Sequence, residues 1–395
     1  LHGIPYGLKD IFDTKGILTT WGAEPWAKNV PEKDSFVAKR LREAGAILLG
    51  KTSVGALAYG DVWLGEKTKN PWNVDEGSSG SSAGSASATA AGLCAFSIGT
   101  ETLGSITSPS ERCGTVGLRP TFGRIPRTGC MPLCPSLDKI GPICRYVDDS
   151  GLILEVLNQF DPMDRGSIDA PFIYSNKLTE EKFRIGYLEN DFGDQEEDIF
   201  NRTAAQKIFS LGHEKIAIKL SDFPFECLIG TLYAEAAASF ENITLGNTDD
   251  TLTRQDPGAW PNAFRKARFL SAVDHVQLDR LRMIAVDEMN AFFEDVDFII
   301  GPMAVNSMLI VSNFTGHPCL QIPVGFEELA TRNELSLASG KLELGKPSDH
   351  GKKHLVPRGV SIWAPLFQED KLVNFGKHIE SLFEFFKNKP PNFSQ

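Results

Sequence analysis

The chain has 395 residues, of which 42% are hydrophobic and 23% are charged, and its net charge is −11. This composition is typical of a globular protein with a sizeable core, so it excludes disordered and fibrous proteins. Phosphate binding needs clustered Lys and Arg, so the acidic balance argues against a general nucleic-acid or acidic-membrane surface. No run of eighteen apolar residues occurs, and we therefore expect no membrane span.

The first predicted elements alternate between strand and helix. A strand covers Gly3 to Asp10, a helix with Asp34 as N-cap stops at Gly45, and Ala46 to Leu49 form a short buried strand. This order is typical of a βαβ unit with parallel strands. The predicted fold class is α/β, with a single large mixed, mostly parallel β-sheet covered by helices on both faces.

Later segments continue the alternation. The predicted elements are a strand at Phe183–Leu188, a helix at about Glu196–Phe209, a strand at Lys215–Leu220, a long helix at Ala267–Phe293, and strands at Asp297–Ile300 and Cys319–Val324. A C-terminal helix places five apolar residues on one face at three- and four-residue steps. These residues are Leu372, Phe375, Ile379, Leu382 and Phe386.

The most unusual stretch is 77–92, which consists almost entirely of Gly, Ser, Ala and Thr. A flexible linker is the simplest interpretation, but this segment runs into an Ala-rich helix and then into Ile98–Ser105. Small side chains let a backbone approach a substrate closely, and successive amides near a helix start can face an anion. The segment therefore favours a site that stabilises an oxyanion.

Three motifs resemble the amidase-signature family of Ser-Ser-Lys amidohydrolases. They are Ser81–Gly84 for the Gly/Ser-rich element, Thr102–Ser105 for the turn, and Gly117–Arg124 for the strand that follows. Ser81 and Ser105 are 24 residues apart, which is the family's spacing, and Lys9 lies in a strand like that of the family's lysine. The resemblance is strong over residues 1 to about 150 and looser over 260 to 390. It implies the amidase-signature fold and a hydrolase that cleaves a linear amide through an acyl-enzyme.

The resemblance also implies a role for each catalytic residue. Ser105 would be the nucleophile, Ser81 the proton relay after a cis peptide bond, and Lys9 the base. Because no histidine lies in these motifs, another group must activate the serine, and a desolvated lysine with a lowered pKa can do so. Thr102, Leu103 and Gly104 would form the oxyanion hole and contact the substrate. No metal and no cofactor are expected, and the paired His350 and His354 lie in a charged, Gly-rich stretch that is typical of a solvated loop.

Three positions depart from the family pattern. Glu101 replaces the usual Asp, Leu103 replaces the first of two glycines, and Thr107 stands where an Arg is common. We predict that Leu103 and Thr107 make the surroundings of the nucleophile less polar and remove a positive charge. By family analogy, four aromatic residues would help to wall the substrate cavity, although ordinary core packing is the alternative for them. They are Phe240, Trp260, Phe264 and Phe269.

The predicted organisation is a single amidase-signature domain over 1–395. Residues 1–150 would form the catalytic core, 151–300 a helical substrate-facing part, and 301–395 a return to the sheet with a C-terminal helix. The chain starts directly on a strand, so we expect that an N-terminal segment is missing. No signal-peptide pattern opens it, and the default expectation for localisation is cytoplasmic.

The expected partner is a small-molecule amide, with no direct nucleic-acid contact and with a homodimer as an option. A neutral, largely apolar amide, anilide or carbamate is favoured over glutamine, since apolar pockets reject unpaired charge. Two alternatives stay open. One is the ammonia-supplying subunit of a tRNA-dependent glutamine amidotransferase, and the other is an inactive homologue that only binds ligands.

Overall fold

A computed structural model describes residues 1–178, 181–188, 199–303, 307–332 and 352–391. The strands in these ranges are β1 Pro5–Lys9, β2 Ile47–Thr52, β3 Val62–Trp63, β4 Glu66–Lys67, β5 Lys69–Asn70, β6 Asn73–Gly77, β7 Phe96–Glu101, β8 Val116–Arg119, β9 Lys139–Cys144, β10 Arg184–Leu188, β11 Glu214–Ile218, β12 Phe298–Gly301, β13 Cys319–Ala330 and β14 Lys353–Trp363. The helices are α1 Phe36–Glu43, α2 Ala83–Ala90, α3 Thr107–Cys113, α4 Val147–Leu157, α5 Ile199–Phe209, α6 Ile229–Ser239, α7 Glu241–Leu245, α8 Trp260–Ala267, α9 Ala272–Asp295, α10 Met308–Phe314 and α11 Glu369–Phe383.

Ten strands form one sheet in the order β11-β10-β12-β14-β13-β8-β9-β7-β1-β2. The α/β class and the single large mixed sheet are confirmed, but the prediction of a mostly parallel sheet is wrong. Only β1–β2, β1–β7, β10–β11 and β10–β12 are parallel, whereas β12–β14, β13–β14, β13–β8, β8–β9 and β7–β9 are antiparallel. The strand–helix alternation that suggested parallel pairing holds at the two ends of the sheet, and antiparallel strands join those ends through its centre.

Helices cover both faces of the sheet, and β13 shows how its alternating side chains meet them. A Cβ on Gly376 of α11 would lie 2.4 Å from a Leu320 methyl carbon, so α11 packs directly on the face that Leu320 presents. Gln321 points the other way and donates a hydrogen bond to Glu111 of α3 at 2.6 Å. The two-residue period of the strand thus serves two helical layers.

Two predictions for the first βα unit are corrected. The N-cap of α1 is Ser35, whose hydroxyl accepts a hydrogen bond from the Ala38 amide, whereas Asp34 accepts from the Lys15 amide. The strand predicted to be buried is β2, which lies at the edge of the sheet with Ile47 52% and Leu49 57% exposed. An apolar run alone does not distinguish an edge strand from a central one.

The C-terminal part also differs from the prediction in its details. β13 continues to Ala330 and pairs along its length with β14, which the sequence did not reveal because charged residues, Pro357 and Gly359 interrupt its apolar pattern. Helix α11 ends at Phe383, so Phe386 lies in the short turn that follows. Residues 196–198 of the predicted helix before β11 lie outside the described residues. Across the described residues, no helix combines the length and the apolar character needed to cross a bilayer.

Candidate active site

Lys9 is the last residue of β1, and its ammonium nitrogen lies within a shell of oxygen atoms. Its Nζ is 2.9 Å from Ser81 Oγ, 3.0 Å from Ser82 Oγ and 2.8 Å from Thr100 Oγ1. Because β1 and β7 are parallel neighbours, Lys9 and Thr100 lie close together at the carboxyl ends of these two strands, where α2 begins. The structure therefore joins the predicted base to the predicted relay. Ser82 and Thr100 also contact the Lys9 amine. They belong to the same sequence motifs, but the sequence alone did not predict a role for them.

The surroundings of Lys9 disfavour its charged form. The side chain is fully buried, and burial lowers the pKa of Lys9 to about 7, although the nearby Cys130, Asp138 and Glu101 act in the opposite direction. No carboxylate lies within ion-pair distance of its Nζ in the described part of the chain. A neutral amine that can accept a proton is thus accessible near neutral pH.

The Gly/Ser-rich segment is part of the protein interior and not a linker. Ser81 and Ser82 are buried, and the Gly80–Ser81 peptide bond is cis, as the family resemblance implies. A Cβ on Gly80 would lie 1.9 Å from the Gly60 carbonyl oxygen, so only glycine allows the two backbones to approach this closely.

Ser105 lies in the turn between β7 and α3 and is 8% exposed. The Ser82 amide donates to the Ser105 carbonyl at 3.2 Å, which brings the two serine motifs into contact. Within the described residues, the hydroxyls of Ser81 and Ser105 are not hydrogen-bonded to each other. Catalytic hydrogen bonds are often incomplete before a substrate binds.

Glu101, one of the departures from the family pattern, anchors the turn after Ser105. Its buried carboxylate accepts from the amides of Ile106 and Thr107 at 2.9 Å each, from Arg119 at 2.7 Å and from Asn313 at 3.0 Å. Burial raises the pKa of Glu101, but the charge of Arg119 and these hydrogen bonds outweigh burial and lower it to about 2. Thr107 puts no positive charge at its own position, and Arg119 is the cation that pairs with Glu101. Arg119 is fully buried and paired, so a substrate cannot reach it.

The predicted oxyanion residues Thr102, Leu103 and Gly104 lie side by side in the same turn. Thr102 Oγ1 donates to Asp138 at 2.6 Å, which ties the turn to the loop before β9. In the described part of the chain, the amides of residues 102–105 donate no hydrogen bond to protein. An oxyanion hole needs such donors, held on a fixed backbone next to a hydroxyl nucleophile.

The geometry agrees with the comparisons to known proteins. The amidase family model matches residues 1–373. The chain belongs to the amidase family. A curated relative from Acaryochloris marina, a glutamyl-tRNA(Gln) amidotransferase subunit, is 31% identical over 99% of this chain and 86% of its own. An amidase family protein of Bacillus anthracis matches in structure with a TM-score of 0.79 and 25% identity over 99% of this chain and 79% of its own. Peptide amidase from Stenotrophomonas maltophilia matches with a TM-score of 0.78 and 23% identity, covering all of this chain and 85% of its own, which confirms the fold.

Two cavities lie side by side in the amidase, and one of them includes Ser105. The smaller one, of about 40 Å³, is lined by Ser105 and Leu103 together with Tyr59, Leu232 and Trp260. The larger one, of about 220 Å³, has a mostly apolar surface, and its lining also includes Arg127, Asp138, Lys139 and Asp164. Both cavities are bordered by Ala58, Thr102 and Leu133.

The four aromatic residues predicted at the amidase cavity have three different positions. Trp260 lines the smaller cavity and donates its indole N–H to the Leu57 carbonyl at 3.0 Å. Phe264 stacks behind Trp260 and Phe240 stacks on Phe264, so both are core residues that support the wall. Phe269 is 89% exposed, and its predicted place in the wall is wrong.

Metal ligation finds no support among the residues that the structure describes. No cluster of three His, Cys, Asp or Glu side chains with suitable geometry occurs there. His350 lies outside the described residues, and His354 is in β14, 3.6 Å from Asp75.

Proposed function

We propose that this amidase hydrolyses the carbon–nitrogen bond of a linear amide, anilide or carbamate through an acyl-enzyme on Ser105. The observation that carries the proposal is the buried Lys9, whose pKa is lowered to about 7, with its amine 2.9 Å from Ser81 and next to the Ser105 turn. A base, a relay hydroxyl and a nucleophile are what acyl transfer by serine requires.

Acylation starts from the neutral amine of Lys9. As Ser105 Oγ attacks the carbonyl carbon, its proton passes to Ser81, and Ser81 gives its own proton to Lys9. The amides of residues 102–105 donate to the developing oxyanion, and one such donor contributes about 3–4 kcal/mol in a serine protease of another fold. Glu101 holds the amides of Ile106 and Thr107, so the turn keeps its geometry while the charge develops.

Breakdown of the tetrahedral intermediate returns the proton. Lys9 gives it back through Ser81 to the leaving nitrogen, the carbon–nitrogen bond breaks, and an amine departs. A water molecule then attacks the ester on Ser105 by the same relay, which releases a carboxylic acid and restores the free serine. The net reaction is amide plus water to acid plus amine, and no step in it calls for a metal.

A role in a glutamine amidotransferase is the second candidate, and the names of the curated relatives favour it. In that role the protein would release ammonia from glutamine for a partner. Arg119 is buried and ion-paired with Glu101, so it gives less support to a substrate whose carboxylate would need a free cation beside Ser105. An inactive binding homologue is the third candidate, but Lys9, Ser81 and Ser105 are all retained.

A labelling experiment tests the nucleophile, and substrate competition tests the class. A fluorophosphonate should label the wild type and the Ser150→Ala control, which alters a buried serine of α4, but not Ser105→Ala. Persistent labelling of Ser105→Ala on the same peptide would remove Ser105 from this role. A higher kcat/KM for glutamine than for an aryl amide, with no partner added, would favour the amidotransferase role.

A further inference from the structure

The amides that would bind the oxyanion lie between two carboxylates. The Glu101 carboxylate holds the backbone that follows Ser105, and the Asp138 carboxylate accepts from the Thr102 hydroxyl at 2.6 Å. Between these two contacts, Gly104 has a φ of 80°, and glycine is the residue type with the greatest conformational freedom. A turn with such a residue inside it keeps a fixed geometry only if both of its ends are held.

Both carboxylate oxygens of Asp138 accept hydrogen bonds. Its Oδ1 atom accepts from Thr102, and its Oδ2 atom accepts from the amides of Leu133 and Cys134 at 2.9 Å each. An ionised carboxylate can accept all three because it has no hydrogen of its own, whereas an asparagine would present N–H groups on one side. The contact with Thr102 spans 36 residues of sequence, so it joins two separate segments of the site.

The loop that carries Asp138 is itself held by two helices. The Ser136 amide donates to Glu235 of α6 at 2.9 Å, and the Ser136 carbonyl accepts from Arg282 of α9 at 3.1 Å. Within the loop, the Asp138 amide donates to the Cys134 carbonyl at 2.9 Å. The loop before β9 is therefore a fixed support from which Asp138 can hold a neighbouring segment.

We propose that Asp138 is a positioning residue that holds the oxyanion-binding amides in place through the Thr102 hydroxyl. The inference rests on the proposed function, because it requires that Ser105 attacks the carbonyl and that these amides bind the oxyanion. The oxyanion develops in acylation and again in hydrolysis of the acyl-enzyme, so a displaced turn slows both steps. Loss of an interaction made only in the transition state lowers kcat and kcat/KM equally.

Variants at both ends of the Asp138–Thr102 hydrogen bond test the inference on an aryl amide. Asp138→Asn should lower kcat and kcat/KM together by about 10²-fold, a typical cost of a small displacement of catalytic groups, with KM within about threefold of the wild type. Thr102→Val, which keeps the shape and removes the hydroxyl, should lower kcat about tenfold, as expected for one hydrogen bond. Thr102→Ser keeps the hydroxyl and should stay within about threefold of the wild type. The double variant of Asp138→Asn and Thr102→Val should be hardly slower than Asp138→Asn, because both changes break one contact.

A transition-state analogue separates positioning from a purely structural role. A trifluoromethyl ketone with the acyl group of the substrate forms a tetrahedral adduct with a serine hydroxyl, and its oxygen takes the place of the oxyanion. Its inhibition constant should rise across the variants in parallel with the loss of kcat/KM. The matched control is Glu369→Gln, which alters a buried carboxylate that accepts from the Thr121 amide at 2.7 Å and pairs with Arg124 at 2.8 Å. This control should unfold at a lower urea concentration, yet keep kcat and the inhibition constant within about threefold while it is folded.

Three results would overturn the inference. Asp138→Asn might lower only the free energy of unfolding, it might raise KM with kcat unchanged, or its loss of rate might multiply with that of Thr102→Val in the double variant. If Asp138→Asn does not fold, equal kcat values for the wild type and Thr102→Val overturn the inference on their own. Absence of Ser105-dependent hydrolysis and labelling in the wild type would instead overturn the proposed function.

Discussion

The two ends of the sheet are stabilised by different interactions. At the end formed by β1, β7, β8 and β9, the interior contains Lys9, Glu101, Arg119 and Lys139, each no more than 2% exposed. At the other end, a cluster of aromatic rings packs in the interior: the ring centre of Phe298 of β12 lies 4.8 Å from that of Phe375 of α11 and 4.9 Å from that of Phe183.

The difference teaches where activity and stability can be separated. Buried charges cost free energy unless they are paired, so the first end gives up stability to keep these polar groups in its interior. The aromatic end gains stability from buried area and has no chemistry to protect. Substitutions at the two ends should therefore affect different measurements.

The largest expected effect is the loss of catalysis on removing any member of the Lys9, Ser81 and Ser105 set. Each alanine variant should lower kcat by at least about 10⁴-fold, and the double and triple variants should be hardly worse, since the three act in one proton path. Thermal unfolding followed by circular dichroism should show folded proteins. Additive losses in the multiple variants would contradict a shared path.

Arg119→Met should destabilise the protein by about 3–5 kcal/mol, because Glu101 would be left buried without its charged partner. Urea unfolding measures this free energy. The matched control is Arg268→Met, which removes an exposed partner of Glu241 at 2.8 Å and should cost no more than about 1 kcal/mol. Equal losses of unfolding free energy in the two variants would show that burial does not determine how much an ion pair contributes to stability.

Phe375→Ala probes the aromatic end and should also cost about 3–5 kcal/mol of stability. At a temperature where the variant stays folded, its kcat/KM should remain within about threefold of the wild type, because Phe375 lies far along the sheet from Ser105. A large loss of kcat/KM in a folded Phe375→Ala protein would show that the two ends are coupled.

The smallest expected effect is that of Lys139→Met on the pH profile. Protonated Lys9 cannot accept a proton, so kcat/KM should fall about tenfold for each pH unit below the pKa of Lys9 in the free enzyme, about 7. Burial also lowers the pKa of Lys139 to about 7, with Arg119 acting in the same direction. If Lys9 is the base, Lys139→Met should keep the acidic limb of the pH profile. Loss of that limb in Lys139→Met would show that the titrating group is Lys139 and not Lys9.

The sequence predicted the residues of the candidate site better than the residues that hold them in position. Lys9, Ser81 and Ser105 each lie in a motif whose residue types reveal their chemistry, and the structure brings their segments together. Asn313 reaches Glu101 from 212 residues away, and no local pattern indicates that contact. Strand pairing could not be predicted for the same reason. The existence of β14 and the edge position of β2 depend on which segments pair, and neither periodicity nor propensity determines that.

The two buried lysines also make folding a reaction that releases protons. An unfolded chain holds both amines protonated up to their ordinary pKa of about 10.4, whereas the folded chain releases both protons above about pH 7. Above about pH 7 the unfolded state therefore binds more protons than the folded state, so these lysines make the free energy of unfolding rise with pH. We limit this expectation to pH values below about 8.5, because cysteine thiols of the unfolded chain start to ionise there. Mildly alkaline conditions accordingly favour both the folded chain and the unprotonated form of Lys9. The same burial that makes folding release a proton from Lys9 thus keeps its amine in the form that can accept a proton.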